Sequence, residues 1–237
     1  MPTISFLRAR PDRNASEFHA WLLAEVKAGF ENEPAGRPYC ILSLDEPLPS
    51  GFILPPAMRL DASNSIPWPP YDAAILRAGP EAAATVPAGL DRWIDLDHSY
   101  RVTRNVIKDD GAIADGRPST GIKYLRGLVF HADLPESAIR RSWARHAPLA
   151  VEVHVGASRY VQWWVDEHLS RDAPRIGGIA ELHFASERAL ADGFFDSPRG
   201  MKEIIQDTGH FIAGGPPRLF ARDHVFGRHS DGTGLRR

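Results

Sequence analysis

The sequence predicts an α+β protein built from two βαββαβ halves, their antiparallel sheets packed face to face inside one chain as an α/β barrel. Three observations carry this. Strand-like and helix-like segments recur in the order strand–helix–strand–strand–helix–strand on both sides of Asp109–Pro118 (DDGAIADGRP), a run with the composition of a linker. Trp21 and Trp143, each late in the first helix of its half, lie 122 residues apart in a chain of 237, so the repeat is close to half the chain. One βαββαβ unit covers one sheet face with helices and leaves the other bare. Two units in one chain therefore hide each other's bare faces, as a homodimer would.

Composition narrows the function classes. With 43% hydrophobic residues the chain can bury a sizeable core, and a formal net charge of −2 gives no reason to expect nucleic acid or an anionic membrane as partner. Cys40 is the only cysteine, which excludes an intrachain disulfide and a thiolate zinc cluster. No apolar run approaches the ~20 residues of a membrane span. The start, MPTISFLRARPDRN, lacks the apolar segment of a secretory signal, so a cytoplasmic protein is expected.

The elements follow in order. Thr3–Arg8 reads as a strand. Asn14, Ser16 and Glu17 offer helix-cap chemistry before an apolar-periodic segment through Phe18, Trp21, Leu22 and Val26. Pro38–Leu44 is the next strand. Seven prolines between Asp45 and Tyr71 rule out a central strand there and predict an ordered arm over residues 45–71, anchored by Ile53 and Trp68. Asp72–Gly79 is strand-like, Ala82–Trp93 helical, and Tyr100–Lys108 a strand. After the linker come a strand at Gly121–His131, a helix from Pro135 to about His146 that Pro148 ends or kinks, strands at Tyr160–His168 and Ile176–Ala185, a helix from Ser186, a short helix near Gly200–Asp207, and a strand at Arg218–Phe226. The expected units are residues 1–110, a degenerate half with the arm, and residues 119–228, the half that carries the pocket.

Chemistry-bearing residues crowd into the second half. Trp143, His146 and Ala147 share one helix face, and an imidazole with an ordinary pKa near 6.5 suits proton transfer at neutral pH. Alternation on Tyr160–His168 puts Tyr160, Gln162, Trp164, Asp166 and His168 on one side. The same alternation presents Glu181 and His183 on the next strand, within ~5 Å across an antiparallel pair. Val161, Trp163 and Val165, with Ala180, Leu182 and Phe184, are expected under the helices. The polar set is either an acid/base site or a buried hydrogen-bond network joining the halves. The catalytic candidates are His146, His183 and His168. The substrate-binding candidates are Trp143, Tyr160, Gln162, Trp164, Phe130 and His154. Only His19 and His98 precede the linker, and the first half offers Ala24 or Glu25 where the second has His146, so one working site is expected. No zincin, nucleophile-elbow, phosphate-loop or dinucleotide fingerprint occurs.

The stretches WARHAPLA, RYVQWW, FFDSPRG and PRLFARDHVF resemble the EthD-like group of the dimeric α/β-barrel superfamily, whose halves are ferredoxin-like. The resemblance covers about Gly121–Gly227, and WxxHAPL is its sharpest part. It implies a barrel with an apolar pocket and a small enzyme working without a bound organic cofactor, such as an oxygenase, isomerase or cyclase. The expected ligand is hydrophobic, aromatic or polyketide-like, with His146 moving a proton and no metal bound. The superfamily also implies two alternatives, a non-catalytic ligand-binding barrel and a haem protein with a histidine axial ligand, and a possible homo-oligomer.

Overall fold

The computed structural model describes residues 1–31, 39–46, 70–78, 87–109, 118–215 and 218–226. The order is β1 (Thr3–Ala9), α1 (Ala15–Glu31), β2 (Tyr39–Asp45), β3 (Ala73–Ala78), a 3-10 turn (Leu90–Arg92), β4 (Ile94–Asp109), β5 (Ile122–Phe130), α2 (Glu136–Val153), β6 (Ala157–His168), β7 (Gly178–Phe184), α3 (Glu187–Gly193), α4 (Pro198–Gly209), β8 (Ile212–Gly214) and β9 (Arg218–Phe226).

Eight antiparallel strands close on themselves in the order β1-β3-β2-β9-β5-β7-β6-β4, with β4 returning to β1 and β8 added beside β5. The predicted class holds. Strand order β4-β1-β3-β2 before residue 110 recurs as β6-β7-β5-β9 read in the opposite sense, the two sets joining through β4–β6 and β2–β9. Among the described residues, closure leaves no long open edge to pair with another chain.

Strand alternation sorts the side chains into three layers. Ile4, Phe6, Ile41, Tyr100, Leu125, Val161, Trp163 and Ile179 fill the barrel. α1 lays Phe18, Leu22 and Val26 over Leu7, Leu42 and Ile75 on one outer face. On the opposite outer face, α2 and α4 cover Tyr124, Tyr160, Leu182 and Phe220. The caps follow the sequence: the Asn14 carboxamide oxygen accepts from the Ser16 N–H at 2.8 Å, Ser186 from the Ala189 N–H at 3.1 Å, and Ser197 from the Gly200 N–H at 2.9 Å.

Four expectations are corrected. α2 does not stop at Pro148 but runs on to Val153, because its buried stripe Ile139, Trp143, His146, Ala147, Ala150 and Val153 keeps it seated on the sheet across the missing donor. The part of Ala82–Trp93 that is described, from residue 87 onward, holds only the 3-10 turn. Val161, Trp163 and Val165 point into the barrel instead of under the helices, since the register sets Val161 opposite Glu181 and Gln162 opposite Ala180. Gln162 consequently lies on the face away from Glu181 and His183. The Asp45–Tyr71 arm, with Ile53 and Trp68, and the linker fall almost wholly outside the described residues.

The barrel interior carries a charged cluster. Lys123 Nζ lies 2.7 Å from Asp223 Oδ2 and 3.7 Å from Glu181 Oε1, and Arg159 lies 3.6 Å from that same oxygen. The Trp163 indole N–H donates to Glu181 at 2.9 Å, and the Ser43 hydroxyl donates to Asp223 at 2.7 Å. Burial alone would raise the Glu181 carboxyl, but Lys123 and Arg159 hold it down to about 2. Ser43 stands on β2 and Asp223 on β9, so this network ties one half to the other. His183 shares the interior, and burial lowers its pKa. His168 reaches it too: β6 carries one extra residue, Asp166, against Arg101 and Val102, which turns the His168 ring to 5.4 Å from Tyr100.

Candidate functional site

Between the outer face of the second half's sheet and α2 and α4 lies a cavity of about 80 Å3. Its walls are apolar: Leu128, Trp143, Leu182, Phe194, Phe195, Ile204, Ile205 and Ile212 among others. Two small residues keep it open, Ala150 on α2 and Ala180 on β7. Trp143 cannot fill the space, because its ring is packed down on Gly178, where a Cβ would come within 2.5 Å of it. Its carbonyl is held by the Gln162 amide N–H at 3.0 Å.

Four groups give the cavity its chemistry. His146, on α2, pairs through Nδ1 with Asp207 Oδ2 on α4 at 2.7 Å. A carboxylate accepts, so Nδ1 carries the proton and the neutral ring keeps the Nε2 lone pair for the cavity. Burial lowers the His146 pKa, Asp207 opposes that, and Arg126 adds to it. The ring is buried, while Asp207 is 39% exposed, so the pair links cavity to solvent. His154, the residue that caps α2, donates from Nδ1 to the Phe194 carbonyl, and burial pushes it down to about 4. It therefore stays neutral. The Tyr160 hydroxyl oxygen accepts from Gln162 at 3.1 Å, and the Trp143 indole supports it too. Burial raises this phenol to about 12, so it keeps its proton and is a donor toward the cavity. Arg126, on β5, completes the set.

The site is thus only partly the one expected. His146, His154, Trp143 and Tyr160 line the cavity together. Phe130 and Trp164 do not; they pack behind Trp143, at 5.7 Å and 4.4 Å between ring centroids, with Arg140 over Trp164. Gln162 is a fully buried brace rather than a lining residue. His183 and His168 lie on the barrel side of the sheet, away from His146: His183 because it alternates with the lining residues Ala180 and Leu182, and His168 because the extra residue at Asp166 reverses its face relative to Tyr160. Sequence reasoning missed Asp207, Arg126 and Thr208. Asp207 had one legible signal, an acid near the end of the amphipathic segment MKEIIQDTG; Arg126 had none beyond its alternation with Lys123 and Leu125.

The cavity matches a porphyrin in donor chemistry but not in size. The histidines have suitable chemistry, with Nδ1–H fixed by an acceptor and Nε2 unbonded. The volume does not suit it: about 80 Å3 is below the ~300–1,000 Å3 of ordinary ligand pockets. As folded, the cavity does not hold a macrocycle. Among the described residues, no group of three or more His, Cys, Asp or Glu could hold a metal ion, and no helix is long and apolar enough to cross a membrane.

No protein-family profile matches the chain, and no curated protein matches it in sequence. Solved structures do match. A candidate monooxygenase from Fusobacterium nucleatum aligns with a TM-score of 0.57 at 10% identity, over 96% of this chain and 94% of that one. A candidate monooxygenase from Lactobacillus acidophilus gives 0.55 at 10% identity, covering 95% of each chain, and an anthrone oxidase-like protein gives 0.54 at 9%, covering 94% and 90%. A chlorite dismutase from Candidatus Nitrospira defluvii, complexed with imidazole, gives 0.51 at 11%, covering 94% and 90%. At such identities the likeness shows the fold alone, a closed antiparallel barrel with outer helices.

Proposed function

We propose that this chain is an EthD-like enzyme that moves a proton on a small, hydrophobic substrate without a bound organic cofactor. One observation carries the reading: the His146–Asp207 pair, 2.7 Å apart, opens onto an apolar cavity. His146 Nε2 is the base. Its lowered pKa keeps it unprotonated at neutral pH, and Asp207 fixes the tautomer and stabilises the imidazolium that forms. Tyr160, protonated throughout, donates a hydrogen bond to the oxygen where charge develops. Proton abstraction of this kind begins an isomerisation, a cyclisation or a cofactor-free oxygenation. The resemblance of WxxHAPL, the repeated strand order and the named neighbours together support an EthD-like, tandem-duplicated chain, active in its second half. A cytoplasmic location and a homo-oligomer belong to the same proposal.

The test uses acetylacetone, a small neutral C–H acid. Wild-type protein should accelerate exchange of its central C–H with D2O, followed by NMR, and His146→Ala should lose that acceleration while keeping its circular dichroism and melting temperature. Equal exchange rates with and without His146, or a Soret band in the purified protein, would overturn the reading.

A further inference from the structure

We infer that the cavity selects a small, neutral substrate carrying a hydroxyl at the end remote from its reacting C–H, with His154 Nε2 as the acceptor of that hydroxyl. This rests on the proton-transfer reading above and names the substrate class for it. Both imidazoles line the cavity and both are tied down at Nδ1, His146 to Asp207 and His154 to the Phe194 carbonyl. Nε2 is therefore the nitrogen of each ring that keeps its lone pair. The unpartnered Nε2 atoms of His168 and His183 are sealed on the barrel side of the sheet; those of His146 and His154 are not, so a ligand can reach them. An acceptor left without a donor in an apolar space costs free energy, and a ligand hydroxyl removes that cost.

The helix sets the spacing. His146, Ala150 and His154 follow at i, i+4 and i+8 on α2, so the two acceptors share one face, about 12 Å apart along the axis at ~1.5 Å per residue. Ala150, whose side chain is a single methyl, lines the space between them. Aromatic rings hold both imidazoles at their stations: Phe211 packs 5.7 Å from His146, and Phe194 and Phe195 pack 5.1 and 5.5 Å from His154. The Thr208 hydroxyl does not compete for this role, because it donates to the Ile204 and Ile205 carbonyls at 2.9 and 3.1 Å. Burial keeps His154 unprotonated at neutral pH, so it offers a lone pair and not a charge. A chain with its apolar middle over Ala150, a removable proton at one end and a hydroxyl at the other meets both imidazoles at once.

The probes are butane-1,4-diol and its isostere pentan-1-ol, in which a methyl group replaces one hydroxyl. In NMR titrations at neutral pH, wild-type protein should bind the diol about tenfold more tightly, because a site built to accept a hydroxyl rejects the analogue that leaves its acceptor unpaired. His154→Asn keeps a donor for the Phe194 carbonyl but ends short of the Nε2 position, and should bring the ratio to one or below. In wild-type protein saturated with the diol, the nitrogen resonances of His146 Nε2 and His154 Nε2 should both move upfield, as acceptance of a hydrogen bond requires. That readout does not depend on any variant folding. Equal affinities of the wild type for the two probes would leave water as the partner of His154 and overturn the inference. So would a preserved preference in His154→Asn, a His154 Nε2 resonance that the diol leaves in place, or no diol binding. Acetylacetone carries no remote hydroxyl, so loss of its exchange with the diol preference intact would refute only the proton-transfer reading, and the converse only this one.

Discussion

Acid should destabilise this protein as pH falls below 6.5, and His154 is the residue on which that can be measured. It caps α2, is nine-tenths buried, and donates to the Phe194 carbonyl. Burial holds its folded pKa at about 4, against 6.5 for a solvent-exposed imidazole as in the unfolded chain. Between those two values the unfolded chain binds a proton that the folded chain refuses, so stability rises with pH through this window and is lost as pH falls through it. A difference of roughly 2.5 units corresponds to about 3 kcal/mol at ~1.36 kcal/mol per unit. The perturbation is His154→Asn, whose amide N–H can replace Nδ1–H as donor but does not titrate. Denaturant unfolding at pH 7.5, 6.5, 5.5 and 4.5 is the assay. Wild-type stability should fall by about 2.5 kcal/mol more than that of His154→Asn over this range, which stops short of the folded pKa. His146, His183, His168 and His98 also have lowered pKa values and slope the same way, but they are common to both proteins and cancel in the difference. Parallel curves for the two proteins would refute the reasoning.

Three more perturbations test the frame around the site. Asp207→Asn removes a group that raises the His146 pKa, so an NMR titration should show His146 shifted further down and the pH profile of acetylacetone exchange shifted with it; an unmoved titration would show that the 2.7 Å pair is not formed. Lys123→Met leaves Asp223 buried without its cation and should cost about 3–5 kcal/mol in denaturant unfolding, whereas the double variant Lys123→Met, Asp223→Leu should recover much of it. If the single variant is as stable as wild type, the interior network is not what joins the halves. Gly156→Ala would set a Cβ 2.1 Å from the Ala189 carbonyl oxygen and 2.9 Å from Gly193 Cα, both backbone, so α3 must lift from the start of β6. Overpacking of this kind costs about 1–3 kcal/mol, a drop of several degrees in melting temperature that calorimetry would detect.

Read from the sequence alone, the fold was largely accessible because it rests on local chemistry. The cap at Asn14, the helix start at Ser186 and the strand Arg218–Phe226 are properties of neighbouring residues, and each appears where expected. His146, Trp143, Tyr160 and His154 were legible for the same reason, as a dense run of reactive and aromatic types around α2 and β6. Pairing across strands was not legible. Whether Gln162 faces Glu181 or Ala180 depends on a register that reverses every face when it slips by one residue, and one extra residue at Asp166 moved His168 into the barrel. Nor could the sequence bring Asp207 to His146, 61 positions away, or set Arg126 against the same cavity. Those meetings exist only because α2 and α4 pack side by side over one sheet face, and the energy that places them is spread over apolar contacts whose partners no local pattern specifies. The sequence determined the elements and the half in which chemistry would gather; tertiary packing alone decided which side chains share the cavity.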